Sequence, residues 1–191
     1  MSGKAIILCA PSGSGKTTLA KFLLSNKDLN LKFSVSATTR EIRKNETNYI
    51  DYNFLDLKTF KNKINNSEFI EFEEVYANIF YGTLKSEVKK MIKNHNLIFD
   101  VDVLGATSLK KYFSKNSISI FINPPTIGEL EKRLIDRGMK FDIVKERIAK
   151  AKYEISMEDK FDFSIINDDL DLAKKEILDL VKTFLNNWCK K

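Results

Sequence analysis

Residues 10–17 read Ala-Pro-Ser-Gly-Ser-Gly-Lys-Thr, and they directly follow the apolar run 5–9. A short buried strand, a glycine-containing turn, Gly-Lys-Thr and then an apolar helix are the sequence context of a phosphate-binding loop. Gly13 and Gly15 let successive backbone N–H groups converge on phosphate oxygens, because glycine adopts positive φ without strain. We therefore predict that Lys16 bridges the β- and γ-phosphates of a nucleoside triphosphate, and that the Thr17 hydroxyl reaches its magnesium ion.

One position departs from the usual loop pattern, since Ala10 stands where the first glycine is common. An ordinary glycine-rich turn is the alternative, but chance gives such a match in roughly one chain of this length in a hundred. The helix that follows directs its positive end at the same anion. The predicted contacts to the triphosphate are Ala10, Pro11, Ser12, Gly13, Ser14, Gly15, Lys16, Thr17 and Thr18.

A second magnesium contact is predicted at the end of another apolar strand. Asp100 follows the run 97–99, and an acid at a strand end near a phosphate-binding loop commonly holds the metal, directly or through water. An isolated aspartate here would serve equally well as a helix cap, and the nearby loop favours the metal role. The single histidine, His95, lies in a polar turn. Phosphoryl transfer needs mainly positioning and charge neutralisation, and a phosphate acceptor needs no general base.

Arginine is used sparingly in this chain. Only five of the 32 basic residues are arginine, and they fall in two short stretches. The planar guanidinium group binds a phosphate or carboxylate through two parallel hydrogen bonds, which lysine cannot do. This distribution suggests two arginine-dependent phosphate sites, although surface arginines without a role would give the same pattern. The arginines are Arg40, Arg43, Arg133, Arg137 and Arg147.

The elements that must position these residues alternate between strands and helices, which predicts an α/β fold with a parallel sheet flanked by helices. The predicted core strands are 5–9, 97–102, 118–122 and 163–166. The predicted helices are 16–25, 106–113, 127–137 (opened by a capping box of Thr126 and Glu129), 142–157, and an apolar stripe from Leu170 to Trp188. A crossover between two parallel strands needs only about 30 residues. The stretch between helix 16–25 and strand 97–102 is much longer, so it contains an insertion. Its predicted elements are strands at 33–36, 52–55, 69–72 and 75–80 and a helix at 57–65.

The composition excludes several classes of function. A chain of 191 residues with 43% hydrophobic residues forms one large or two small domains with a real core. The net charge of +6 comes mainly from dispersed lysines, and without an arginine-rich or aromatic–basic stripe we expect no nucleic-acid partner. No stretch has the length and hydropathy of a membrane span or signal peptide, and the two cysteines indicate a reducing compartment. We expect a cytoplasmic protein without a membrane partner.

Motifs spread over about residues 3–184 resemble those of guanylate kinases. They occur in the family's order, and together they are far more specific than the phosphate-binding loop alone. The matching stretches are 34–40 (Ser-Val-Ser-Ala-Thr-Thr-Arg) with Arg43 and Tyr52, 69–72, 81–83, 100–106, 123–125 and 166–169.

The resemblance implies transfer of the γ-phosphoryl group of ATP, with Mg²⁺, to GMP or dGMP. It also implies a P-loop NTPase-type parallel sheet flanked by helices, in three parts. The core would comprise 3–33, 96–125 and 160–188, a mixed β/α insertion at 34–95 would bind GMP, and a helical lid would occupy 126–159.

Carried over position by position, the resemblance also implies individual roles. The GMP phosphate would be held by Arg40, Arg43, Tyr52 and Tyr81. Guanine would be read by Ser36, Glu71, Thr83 and Asp102. The transferring phosphoryl group would be neutralised by the lid residues Arg133, Arg137 and Arg147 together with Lys16. Asn167 would lie near the ATP base.

The proposed role of Glu71 has a physical basis. Guanine presents N1–H and N2–H₂ side by side, and a carboxylate accepts both hydrogen bonds. Adenine presents an acceptor at N1, which would face the carboxylate with no proton between them. Buried mismatches of this kind discriminate by several orders of magnitude. Without the family context, Glu71 would instead be interpreted as a solvent-facing strand residue.

Three other functions compete with guanylate kinase activity. A guanylate-kinase-like module that binds a protein partner without turnover typically loses the ATP loop, and Gly13, Gly15 and Lys16 are intact here. The protein could instead be a kinase of another nucleoside monophosphate. Glu71 and Ser36 argue against one that binds adenine. A nucleic-acid binder would need a clustering of basic residues that the sequence lacks.

Overall fold

The computed structural model describes residues 3–186. In this part of the chain the strands are β1 (Ala5–Cys9), β2 (Leu31–Phe33), β3 (Ala37–Thr38), β4 (Asn53–Phe54), β5 (Phe69–Tyr76), β6 (Ile79–Leu84), β7 (Asn96–Asp100), β8 (Ser117–Asn123) and β9 (Phe163–Ile166). The α-helices there are α1 (Lys16–Ser25), α2 (Leu57–Asn65), α3 (Lys85–Met91), α4 (Val103–Phe113), α5 (Ile127–Asp136), α6 (Phe141–Ile155) and α7 (Leu170–Asn186).

Five strands form a parallel sheet in the order β2-β7-β1-β8-β9. The central strand β1 is buried at every residue, because helices cover both faces of the sheet. Ile6 and Leu8 point to the side packed by α1 and α7, and Ile7 and Cys9 point to the side packed by α3 and α4. The predicted α/β architecture with a parallel sheet is therefore confirmed.

A second, mixed sheet has the strand order β4-β3-β6-β5. Its β3 and β4 are parallel, whereas β6 pairs antiparallel with both β3 and β5. Helix α2 packs on this sheet through Phe60, whose ring stacks on Phe69 at a centroid distance of 4.4 Å and lies 5.4 Å from Phe80. These aromatic contacts give the second sheet a small hydrophobic core of its own.

Two predicted strands of the insertion had the wrong bounds. Residues 33–36 are not one strand, because Phe33 ends β2 in the first sheet and the chain then crosses to β3 in the second. The prediction at 75–80 missed a hairpin, since β5 continues to Tyr76 and β6 begins at Ile79. Asn78 turns the chain with a φ of 63°, a conformation that asparagine tolerates. Apolar residues on both sides of Asn78 made the hairpin look like one continuous strand.

Helices α5 and α6 share a small core of Leu130, Leu134 and Val144. The predicted cap of α5 is confirmed, because the Thr126 Oγ1 accepts a hydrogen bond of 3.0 Å from the backbone N–H of Glu129. Residues 187 and 188 of the predicted core lie outside the described residues, and so does Trp188 of the predicted apolar stripe. Among the described helices, none combines the length and apolar character that crossing a bilayer requires.

Candidate active site

A cleft of about 700 Å³ opens between the carboxyl end of the first sheet, the second sheet and helix α6. It brings together most of the predicted site residues from distant parts of the chain. Its lining includes Ala10, Pro11, Ser12, Gly13, Gly15, Lys16, Thr17, Thr18, Ser36, Tyr52, Glu71, Tyr81, Asp100, Asp102, Arg137 and Arg147. Ser14, Arg40, Arg43, Thr83, Arg133 and Asn167 lie outside this lining, and their contacts are described below.

The phosphate-binding loop connects β1 to α1. Gly13 and Gly15 have φ values of 103° and 91°, so both occupy the left-handed region that favours glycine. Gly15 is the residue before α1, and the first backbone N–H groups of that helix therefore point towards the cleft. Ala10, the departure from the usual loop pattern, directly follows the fully buried strand β1 and is 7% exposed. The loop thus has the geometry of an anion site.

Lys16 and Asp100 form an ion pair at the floor of the cleft. The Lys16 Nζ lies 2.5 Å from Asp100 Oδ1 and donates a hydrogen bond of 3.2 Å to the Val101 carbonyl oxygen. The parallel pairing of β1 and β7 produces this meeting, because it brings the carboxyl ends of both strands to one edge of the sheet. Thr17 and Asp100 both line the cleft and supply the oxygen donors that Mg²⁺ prefers. These residues fit a magnesium ion shared with nucleotide phosphates.

Asn167 is hydrogen-bonded to the backbone of the phosphate-binding loop. Its Nδ2 donates a hydrogen bond of 2.7 Å to the Ser14 carbonyl oxygen, and the residue is only 5% exposed. A Cβ atom added to Gly15 would lie 2.1 Å from this Nδ2. Gly15 is therefore required both for its backbone conformation and for the close approach of Asn167.

We expect Gly15→Ala to destabilise the protein more than Gly138→Ala. Gly138 also has a positive φ of 74°, but a Cβ there would meet nothing within 4 Å, so this variant should lose only about 1 kcal/mol through backbone strain. Gly15→Ala adds loss of the Asn167 hydrogen bond and should lose about 3 kcal/mol. Urea denaturation of both variants measures the difference, and equal losses would contradict this account of the loop.

Glu71 and Thr83 pair across strands β5 and β6. The Thr83 Oγ1 donates a hydrogen bond of 2.5 Å to Glu71 Oε1. Burial, with smaller contributions from Asp102 and Glu73, nevertheless raises the pKa of Glu71 to about 7. A Cβ added to Gly105 would lie 3.2 Å from Glu71 Oε2, so this glycine lets helix α4 approach the carboxylate closely.

Asp102 lies beside Glu71 and caps helix α4. Its Oδ1 accepts a hydrogen bond of 2.7 Å from the Gly105 backbone N–H. The carboxylates of Glu71 and Asp102 therefore face the same part of the cleft from two different elements. Such a pair of acceptors matches a ligand that carries adjacent N–H donors.

Arg40 contacts Tyr52 and Tyr81, two tyrosines that line the cleft. Its guanidinium donates two hydrogen bonds, of 2.8 and 2.9 Å, to the Glu46 carboxylate and one of 3.1 Å to the Tyr81 hydroxyl. The guanidinium also lies 5.3 Å from the Tyr52 ring centroid. This bidentate pairing holds the pKa of Glu46 below its usual range. Arg43 is exposed, and its backbone N–H donates to the same carboxylate.

The three later arginines occupy different positions. Arg147 on α6 donates a hydrogen bond through Nη1 to the Ser12 hydroxyl of the phosphate-binding loop. Arg137 lines the cleft at the end of α5. Arg133 instead contacts Glu129 and donates to the Asn167 carbonyl oxygen at 3.3 Å. Only Arg137 and Arg147 of these three therefore line the cleft in this structure.

Five charged residues around the site were not predicted from the sequence. Glu46 holds Arg40, and Glu73, Glu146, Lys150 and Glu154 line the cleft. Glu154 is only 7% exposed, and burial raises its pKa. Spacing would have indicated two of them, since Glu73 alternates with Glu71 on a strand and Lys150 lies three residues after Arg147 on a helix.

Comparison with known proteins gives a consistent result. The family model described as "Guanylate kinase" matches residues 2–184. The chain is 50% identical to a guanylate kinase of Bacteroides fragilis, covering 95% of this chain and 90% of that relative. It is 46% identical to a guanylate kinase of Porphyromonas gingivalis, covering 95% and 98%. The crystal structure of guanylate kinase from Anaplasma phagocytophilum superposes with a TM-score of 0.73 at 30% identity, covering 95% of this chain and 86% of that one. The chain therefore belongs to the guanylate kinase family.

Proposed function

We propose that this protein transfers the γ-phosphoryl group of ATP to GMP, and also to dGMP, giving ADP and the nucleoside diphosphate. The observation that carries this proposal is the meeting of two sites in one cleft. A phosphate-binding loop with Lys16 forms one side, and the carboxylates of Glu71 and Asp102 form the other. The family membership supports the same activity.

In the proposed complex, loop 10–18 binds the ATP phosphates through backbone N–H groups. Lys16 exchanges Asp100 for the β- and γ-phosphates, which its flexible stem permits. Magnesium, held by Thr17 and Asp100, would neutralise charge on these phosphates. Arg137 and Arg147 then stabilise the negative charge of the phosphoryl group during its transfer. We propose that Arg133 joins them through a movement of the lid segment 126–159, and that Asn167 borders the ATP base.

The acceptor is bound on the other side of the cleft. In this proposal the GMP phosphate is held by Arg40, Arg43, Tyr52 and Tyr81. Arg40 gives up part of its pairing with Glu46 in order to bind it. Ser36, Glu71, Thr83 and Asp102 read the guanine. The attacking phosphate oxygen is already anionic, so the chain needs to orient it in line rather than deprotonate it. Closure of the lid segment over the core and the insertion would exclude water and limit ATP hydrolysis.

The test of this function is turnover with four acceptors. GMP, dGMP, AMP and UMP are compared at equal concentrations with ATP and magnesium. We expect kcat/KM for GMP and dGMP to exceed that for AMP by several orders of magnitude. Binding of GMP without turnover would favour a protein-binding module, and preference for AMP or UMP would favour another monophosphate kinase.

We expect the KM for GMP to rise as pH falls below about 7. The pKa of Glu71 is raised to about 7, and only its ionised form accepts both guanine N–H groups. The ionised fraction falls about tenfold between pH 8 and pH 6, and the KM should rise by the same factor. Steady-state kinetics measure this slope. The GMP phosphate also titrates near pH 6. Glu71→Gln is therefore the control, because it retains the titration of the phosphate but not that of Glu71. An equal slope of KM against pH in both proteins would contradict the role assigned to Glu71.

A further inference from the structure

Two residues to which the family resemblance assigns no role face each other across the cleft. The carboxylate of Glu73 on β5 lies 3.7 Å from the Nζ of Lys150 on α6. The Glu73 side chain is 39% exposed and that of Lys150 55% exposed, so the pair lies where the cleft meets solvent. It connects the strand that carries Glu71 to the helix that carries Arg147.

On the strand side, the pair adjoins the proposed guanine pocket. Glu71, Glu73 and Val75 alternate along β5, so their side chains share one face, and all three line the cleft. The negative charge of Asp102 also acts on Glu73. Burial, together with the negative charge of Asp102, raises the pKa of Glu73. The charge state of the guanine pocket therefore acts directly on Glu73.

On the helix side, the pair adjoins the phosphate-binding loop. Ile143, Arg147, Lys150 and Glu154 follow one another at intervals of three or four residues, which places them on one face of α6, and all four line the cleft. Arg147 donates a hydrogen bond to Ser12 of the loop. Lys150 lies less than one helical turn from Arg147, so a contact that holds Lys150 also fixes how Arg147 is presented to the loop.

We propose that the Glu73–Lys150 ion pair is a positioning contact that couples occupancy of the guanine pocket to the placement of Arg147 on the phosphate-binding loop. This inference rests on the proposed function. Guanine N–H groups bound to Glu71 and Asp102 would reduce the negative charge around Glu73, and its carboxylate would then pair more strongly with Lys150. Because coupling free energies are reciprocal, each nucleotide would raise the affinity for the other.

The test measures that coupling directly. Calorimetry gives the affinity for a non-hydrolysable ATP analogue with magnesium, in the presence and absence of saturating GMP. In the unmodified protein we expect GMP to tighten analogue binding about fivefold or more. In Glu73→Gln and in Lys150→Met we expect GMP to have less than a twofold effect on the affinity for the analogue. The double variant should lose no more coupling than either single variant, because both remove the same contact.

Two exposed residues provide matched controls. Glu74 lies on the opposite face of β5, and Lys152 is exposed on α6. The variants Glu74→Gln and Lys152→Met should therefore both retain the coupling. The inference is overturned if GMP does not affect analogue binding in the unmodified protein, or if the single variants retain the full effect. Turnover of GMP by the unmodified protein is measured in parallel. Its absence would reject the proposed function, whereas turnover with coupling unchanged in the variants would reject only the ion-pair inference.

Discussion

Lys16→Met is expected to lower kcat for GMP phosphorylation by about 10³-fold or more. The methionine side chain keeps most of the length of lysine but carries no charge, so nothing in the loop replaces the cation between the β- and γ-phosphates. Loss of one preorganised donor to a transition-state oxyanion costs about 10²–10³-fold, and loss of a cationic group at a transferring phosphoryl costs about 10³–10⁵-fold. Single-turnover kinetics measure the chemical step apart from binding.

The controls separate chemistry from folding. Lys21→Met removes a lysine from an exposed position of the same helix and should leave kcat within a factor of two. In Lys16→Met, Asp100 loses the ion partner that lies 2.5 Å away, but both side chains border the cleft, so the fold should be retained by circular dichroism. The affinity for GMP should not change. A variant that retains more than a tenth of the turnover would exclude Lys16 from the role assigned to it.

Glu71→Gln is expected to lower kcat/KM for GMP by about 10³-fold while the KM for ATP stays unchanged. The amide offers one acceptor and places an NH₂ group against a guanine donor, which leaves buried polar groups unpaired. The discrimination between GMP and AMP should therefore decline as well. Competition assays with the two monophosphates measure both effects.

Stability provides the control for this variant. The folded-state pKa of Glu71 is raised to about 7 from 4.5, so its contribution to stability is fully present below pH 4.5 and is lost as pH rises through 7. Glu71→Gln should then be at least as stable as the unmodified protein at pH 8. Glu74→Gln, on the opposite face of the same strand, should retain GMP turnover. Equal loss of activity in the two variants would indicate a general effect on β5 rather than a specific contact with guanine.

The features that could be predicted without a structure depend on residues close together in the chain. The phosphate-binding loop is one example, since a strand, two glycines, Lys16 and a helix start lie within a few residues. The capping of α5 by Thr126 is another. The alternation of strands and helices likewise indicated the parallel sheet. The family resemblance added roles for Glu71, Asp102 and the arginines, and these roles remain predictions for the experiments above.

The contacts between residues far apart in the chain follow from how the two sheets and their helices pack. The hairpin between β5 and β6 places Thr83 on Glu71, and the close approach at Gly105 adds Asp102. No local pattern in the sequence pairs Glu46 with Arg40 or Lys150 with Glu73. These contacts depend on strand register and on the packing of helices that lie far apart in sequence. Periodicity and motif spacing report only the local geometry of the chain, and therefore they cannot specify such contacts.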